Sequence, residues 1–316
     1  MKNKFGKWLT AFAVLTLFAT NVWANKTVTC TVSGGAALPT ISYTATNYSP
    51  NTSGSTITPF NVRVSCARDN GANNGTGASD LVSYSVTAGN GSSASGTQNV
   101  AKNGTSSLNY DFFRLNPTTT TCANEWAATN PITKTYTSSA GVTDTVDYTV
   151  YGCITTGQTS AQVGDHLDTV VITLTGSAGS GLTFATPINT SANVKITVPK
   201  ECSTNLNTTN TVVDFGSYTA LGSAKPSTGG NFNLKCTNLM GYTMALTDVN
   251  GAALTNGVIA GLNYSLALSA SGGTGNGADQ PYTINGTMPA GQAGSCASGA
   301  CAGTTTNTSH YLTVTY

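Results

Sequence analysis

From about residue 26 onward, large apolar residues alternate with polar ones in short runs, the period of half-buried strands rather than of helices. In Tyr148-Thr-Val-Tyr-Gly-Cys-Ile154 the side chains of Tyr148, Val150 and Ile154 share one face, as do Tyr282, Ile284 and Met288 in Tyr282-Thr-Ile-Asn-Gly-Thr-Met288. Further strands are predicted over His166 to Thr175, from Ser191 through Val198, and at Leu312, Val314 and Tyr316. Gly157-Gln158 and Gly291-Gln292 follow the first two runs and end them. Helical periodicity is hardly written anywhere.

The recurrence of one strand extends to others in the same order. Leu108-Asn-Tyr110 is echoed by Leu262-Asn-Tyr264, and Phe60-Asn-Val-Arg-Val-Ser-Cys66 by Phe232-Asn-Leu-Lys-Cys236. Cys30 precedes Cys66 by 36 positions and Cys202 precedes Cys236 by 34. The chain therefore reads as a degenerate duplication. Its first unit is expected over residues 25–176, a linker or closing strand over 177–190, and the second unit over 191–316. Many short strands with Gly and Asn turns favour an all-β chain of two immunoglobulin-like β-sandwich domains in tandem.

Composition adds a compartment. Lys2, Lys4 and Lys7 precede the apolar run Leu9 to Phe18, and Ala24 offers a cleavage point, the pattern of a secretory signal peptide over residues 1–24. Charged residues make up 8% of the chain against about 25% in an ordinary domain. Without the three leader lysines the 13 basic and 12 acidic residues leave a formal charge of −2. Nucleic-acid binding and electrostatic membrane docking have no support in that balance.

Eight cysteines in an exported chain read as disulfides. The duplication favours Cys30 with Cys66 and Cys202 with Cys236, which leaves Cys122 with Cys153 and Cys296 with Cys301. Spacing alone allows three connectivities in each unit. Metal binding is a weak alternative, since no Cys-x-x-Cys pair occurs, and no cofactor is expected. His166 and His310 lie in or beside strands and no Gly-x-Ser-x-Gly elbow frames a serine, so catalysis is not expected.

Phe215-Gly-Ser-Tyr218 after a cysteine, the Tyr-Thr-Val-Tyr-Gly strand, and Gln158 followed by Gly164-Asp-His-Leu-Asp168-Thr-Val resemble the spore coat protein U family. The resemblance covers both units. Unit one departs from it with Ile41-Ser-Tyr43 where Phe-Gly-x-Tyr is expected, and unit two ends without the Asp-Thr-Val. Such domains are the subunits of archaic chaperone-usher pili, and a leader followed by two of them resembles the tip adhesin of Csu-type pili, which acts in biofilm formation.

The resemblance implies a sandwich lacking one strand, whose groove is filled first by a periplasmic chaperone and then by a donor strand from the next subunit. An outer-membrane usher would be a further partner, and the cell-surface pilus tip the destination. Only Asn25 to Thr29 precede Cys30, fewer than the roughly ten residues a donor strand needs. The chain is therefore expected to accept a strand and not to donate one. The acceptor edge is expected in unit two, at Leu312, Val314 and Tyr316. Leu182-Thr-Phe-Ala-Thr186 either closes unit one in cis or serves as plain linker.

Unit one carries some 36 extra residues between Cys66 and Tyr148 compared with unit two, and long loops on a rigid sandwich are where recognition is built. Three apolar stretches fall outside the alternating strands: Ala36, Ala37, Leu38 and Pro39; Trp126, Ala127 and Ala128; and Val163. If they share a pole they form an apolar tip for abiotic or host surfaces; otherwise they are satellite core residues. The rival readings are a glycan-binding tip built around Asn124, Glu125 and Trp126, and a purely structural pilus or coat subunit.

Overall fold

A computed structural model describes residues 26–46, 48–51, 54–69, 80–115, 125–139, 141–179, 182–206, 211–294 and 306–316. The expected leader, Asn124, Cys122, Cys296 and Cys301 lie outside them. The described residues contain strands and no helix. Strands β1 (Lys26–Ser33), β2 (Ile41–Ala45), β3 (Thr56–Arg68), β4 (Leu81–Gly91), β5 (Asn99–Asn103) and β6 (Ser106–Phe113) come first. They are followed by β7 (Ile132–Thr137), β8 (Thr143–Ile154), β9 (Gly164–Ala178), β10 (Leu182–Phe184) and β11 (Ile188–Val198). These eleven form one hydrogen-bonded surface folded into two layers. One layer runs β10-β1-β3-β8-β6-β5, the other β7-β4-β9-β11-β2, and the pair Lys102 and Leu167 joins them.

The alternation that predicted the strands also builds the core. Val62, Val64, Val82, Val86, Val150, Ile172 and Leu174 are all buried between the layers. Tyr43 packs on Phe60 and Phe112 with ring centroids 5.5 and 5.4 Å away. Room for it comes from Gly152, where a Cβ would lie 2.1 Å from the Tyr43 ring. The hydroxyls of Tyr84 on β4 and Tyr148 on β8 meet at 2.8 Å across the layers, which satisfies two polar tips that would otherwise be costly to bury.

The second unit comprises β12 (Cys202–Thr204), β13 (Val213–Asp214), β14 (Lys225–Pro226), β15 (Thr228–Gly229), β16 (Asn231–Cys236) and β17 (Gly241–Thr247). It continues with β18 (Asn256–Ile259), β19 (Leu262–Leu268), β20 (Gly272–Thr274), β21 (Asp279–Met288) and β22 (Tyr311–Thr315). One layer is β12-β16-β21-β19-β18 and the other β20-β17-β22. Its core is separate, gathered around Phe232, Leu234, Met244, Leu246, Tyr264 and Ile284.

The duplication reappears as chemistry. Cys30 bonds Cys66, and Cys202 bonds Cys236, at opposed positions of β1 with β3 and of β12 with β16. Cys153 is also disulfide-bonded. Tyr242 and Tyr282 join hydroxyls as Tyr84 and Tyr148 do. The Gln158 side chain accepts from the Asn109 amide at 2.6 Å and donates to the Asn109 carbonyl at 2.9 Å. Gln292 does the same to Asn263, at 2.7 and 2.9 Å. The Gly-Gln and Leu-Asn-Tyr echoes of the sequence are thus two halves of one clamp, a side-chain amide closing an unpaired piece of backbone.

The structure differs from expectation at the join between units. Ala192, Val194, Ile196 and Val198, read as opening the second unit, are buried in the first core. Their strand β11 pairs antiparallel with β9 and parallel with β2. Leu182–Phe184 forms a strand, but it pairs parallel with β1 at the far edge of the other layer. Unit one is therefore closed in cis, by β11 and not by residues 182–186.

Replacing Gln158 or Gln292 by alanine removes three bonds to backbone, two at Asn109 or Asn263 and one at the Thr155 or Pro289 carbonyl, and at about 0.5–1.5 kcal/mol net for each either change is expected to cost about 1.5–4.5 kcal/mol. Urea unfolding followed by tyrosine fluorescence tests this, and equal midpoints for wild type and both variants would contradict the clamp.

Candidate functional site

The tyrosine pairs and clamps put the two units in register. Tyr84 corresponds to Tyr242 and Tyr148 to Tyr282, so β4 matches β17 and β9 matches β22. In unit one β9 has β4 on one side and β11 on the other. In unit two β22 has β17 on one side, pairing Leu312 with Leu246 and Val314 with Met244. Among the described residues no strand lies along its other side. Leu312 and Val314 are half-buried against the second core, while Tyr316, just beyond the strand, is 49% exposed.

Across the opening from β22 lies the counterpart of β2. A Cβ on Gly286 would meet the Phe215 ring at 2.6 Å, just as one on Gly152 would meet Tyr43. Phe215 therefore corresponds to Tyr43, and Val213 to Ile41. Ile41-Ser-Tyr43, read from sequence as standing where Phe-Gly-x-Tyr is expected, thus matches Val213-Asp-Phe215. The space between Val213 and Phe215 on one side and β22 on the other is the place β11 fills in unit one.

The eight residues expected to form an apolar tip do not come together. Ala36, Ala37, Leu38 and Pro39 are exposed in the turn from β1 to β2, on the flank of the first sandwich, with Leu38 59% exposed. Trp126 is 1% exposed and belongs to the core. Its indole N–H donates to the Val86 carbonyl at 2.7 Å, and its backbone bridges Phe112 and Ala88. An indole buries about 150–250 Å² and needs one partner for its N–H; this site supplies both. Ala127 is half-buried and Ala128 exposed beside it.

Val163 lies at the opposite end, in the joint between units. Its amide donates to the Asn238 carbonyl at 3.1 Å, its side chain packs on the second core, and Asn238 Nδ2 donates to the Ser160 carbonyl at 2.7 Å. Glu201 ties the connecting segment back to unit one by accepting from Ser49 Oγ and, at 3.0 Å, from Asn51 Nδ2. An aspartate in place of Val163 would bury a charge in that joint.

A different apolar surface occupies the far pole of unit one. Leu81, 50% exposed, and Val142, 54% exposed, stand there beside half-buried Leu182. Hydrogen bonds join the segments of Leu81 and Leu182, from Gly179 to the Leu81 carbonyl and from Leu182 to that of Gly179, while the Val142 carbonyl accepts from the Arg68 amide. Beneath them Arg68 and Asp80 form a buried ion pair, with the guanidinium also donating to the Ser138 carbonyl at 2.9 Å. The sequence held one sign of this pole, the extra length between Cys66 and Tyr148.

The first histidine is structural. His166 is buried, bonded to Ser106 Oγ at 3.0 Å, and burial pulls its pKa below the ordinary value, which keeps it neutral. Asp111 is the opposite case: burial, with the Glu125 carboxylate as a lesser contributor, pushes its pKa up to about 6 against the bonds from Asn99 and Gln98. Among the described residues no three His, Cys, Asp or Glu side chains gather as a metal group.

A protein-family model described as Spore Coat Protein U domain matches residues 16–173. The chain belongs to the Spore Coat Protein U domain family. Like other members of that family it is not an enzyme. No curated protein matches it.

Solved structures similar to this family member include a chain of the CsuC-CsuE chaperone-tip adhesion subunit pre-assembly complex from archaic chaperone-usher Csu pili of Acinetobacter baumannii. It is 16% identical, with 91% of this chain and 99% of that one covered and a TM-score of 0.42. The CupB6 tip adhesin from Pseudomonas aeruginosa is 12% identical, with 91% and 95% covered and a TM-score of 0.39. The CooA pilin subunit from enterotoxigenic Escherichia coli is 15% identical, with 54% and 97% covered and a TM-score of 0.29.

Two measurements follow from this geometry. Val163→Asp is expected to loosen the joint, splitting one thermal unfolding transition into two and lengthening the particle in X-ray scattering; an unchanged solution shape would contradict it. The raised pKa of Asp111 means that its folded state favours the protonated form. Its contribution is thus greatest below about pH 4 and is lost as pH rises through about 6, while neutral His166 acts in the opposite sense below its ordinary value of 6.5. Asp111→Asn should therefore narrow the stability gain between pH 7 and pH 4, and identical pH profiles for wild type and variant would refute that assignment.

Proposed function

We propose that this chain is a tip adhesin of a chaperone-usher pilus, exported through the periplasm to the cell surface. The observation that carries the reading is the asymmetry between its two copies of one fold: unit one contains its own closing strand, and in unit two the corresponding place along β22 has no strand among the described residues. An open sheet edge above an apolar core is sticky and needs an occupant. A periplasmic chaperone, delivering to an outer-membrane usher, would supply it first, and a donor strand of the next subunit afterwards.

The tip position follows from the same asymmetry. The first described strand, β1, is held by β3 on one edge and β10 on the other, so it is no free donor. We take the units to meet at Pro199 to Glu201, with the adhesive domain before and the pilin domain after. Adhesion is assigned to the far pole of unit one, where Leu81, Val142 and Leu182 present uncharged aliphatic surface. Two half-exposed aliphatic side chains offer on the order of 2 kcal/mol at about 25 cal/mol per Å²; many pili per cell make weak contacts firm. The glycan reading loses its aromatic platform, because Trp126 is buried.

The test is attachment to polystyrene by cells whose pili assemble normally. Leu81→Ser with Val142→Ser is expected to reduce attachment several-fold at unchanged pilus number, while Leu38→Ser leaves it unchanged. Undiminished attachment by the double variant would make the chain a structural subunit.

A further inference from the structure

Unit one contains a filled version of the place that is open in unit two, and the comparison specifies the occupant. In unit one Ala192 of β11 lies between Val170 on β9 and Ile41 on β2, and Val194 between Asp168 and Tyr43. The register of β4 with β9 and of β17 with β22, aligned through Tyr84 and Tyr242, makes Leu174 correspond to Val314 and Ile172 to Leu312. One step further along the same face, Val170 corresponds to His310. The level occupied by Ala192 in unit one is therefore flanked in unit two by Val213 and His310.

His310 is not free to swing away. Its Nε2 is 2.8 Å from the Tyr264 hydroxyl and its Nδ1 is 3.1 Å from the Leu254 carbonyl. The imidazole sits 5.6 Å from the Tyr264 ring, which in turn lies 5.5 Å from Phe215. In unit one the matching tyrosine, Tyr110, sends its hydroxyl to Asp168 instead, and the residue beside Ala192 is the smaller Val170. A ring fixed at both nitrogens thus stands where the incoming chain has to pass. Side chains alternate along a strand, so a slip of two residues would drive a counterpart of Thr190 or Val194 against the ring, and a slip of one would turn the apolar face outward.

We infer that unit two accepts an extended polypeptide strand running antiparallel to β22, patterned like Ile188–Val198, with glycine, alanine or serine opposite His310, and that His310 and Tyr264 set its register. The inference rests on the acceptor reading of unit two and adds which strand that unit selects. His310 is the specificity-determining residue, because packed surfaces reject added volume steeply.

The test uses the mature full-length chain and two synthetic peptides, one with the sequence of residues 188–198 and one carrying Ala192→Leu. Binding is read by native mass spectrometry and by the rise in the unfolding midpoint of unit two. The unaltered peptide is expected to bind, and the leucine peptide to bind about tenfold or more weakly. His310→Val should narrow that difference to about twofold while still binding the unaltered peptide. If both peptides bind wild type equally, or if His310→Val leaves the difference unchanged, selection by His310 is wrong and the acceptor reading stands. If neither peptide binds, the acceptor reading falls with it.

Discussion

Everything in this protein turns on what lies between two strands. A sandwich of this kind has a gap between the strand ending at its far pole and the short strand after its first turn, and the backbone groups lining that gap need partners. In unit one β11 supplies them along its length, to β9 on one side and β2 on the other, and drops Ala192, Val194 and Ile196 into the core in the same stroke. Hydrogen bonding and hydrophobic burial are satisfied by one strand. Unit two has a half-buried inner face at Leu312 and Val314 and, among the described residues, no strand along the outer side of β22, so under the proposed acceptor role the same two demands fall on a donor strand.

The rest of the architecture keeps those walls in place with few charges. Each unit is cross-tied by a disulfide between its first strand and the next layer position, by a tyrosine hydroxyl pair across the layers, and by a glutamine clamp on a backbone turn. Exposed ion pairs such as Arg63 with Asp147 contribute little in water. The buried pair of Arg68 and Asp80 differs, since either partner alone would be an uncompensated charge. It sits beneath the far pole, holding loop ends that would otherwise have no core of their own. At the other end the joint around Val163, Asn238 and Glu201 ties the two units together.

This arrangement assigns the ends of the molecule different work. Unit one is self-sufficient and carries exposed aliphatic side chains where it points away from its neighbour. In unit two, among the described residues, one side of β22 has no strand along it. In the proposed assembly, a force applied at the pole would pass through the joint to a strand held along β22, and the tightness of that last contact would limit what the assembly bears. A histidine fixed beside the opening then matters, because a wrongly registered strand would leave part of the edge unpaired.

Alternation, spacing and echo are local properties, and they were legible. Tyr148 and Tyr282, the two Leu-Asn-Tyr runs, the cysteine separations and the shared face of Leu312, Val314 and Tyr316 together pointed to an all-β chain of two related units and favoured Cys30–Cys66 and Cys202–Cys236 among three connectivities open in each unit, a choice the structure made. Pairing is not local. The alternation of Val194, Ile196 and Val198 declares a strand but not the sheet that takes it, and only the tertiary structure decided that it closes unit one. The lone Trp126 looked like a free apolar side chain because nothing in its neighbours reveals that the Val86 carbonyl, 40 positions earlier, waits for its N–H. Leu81 and Val142 lie far apart in the chain and reach one pole only because Leu81 opens β4 and Val142 stands just before β8. A sequence fixes which faces are apolar, whereas what each face meets depends on contacts between residues distant along the chain.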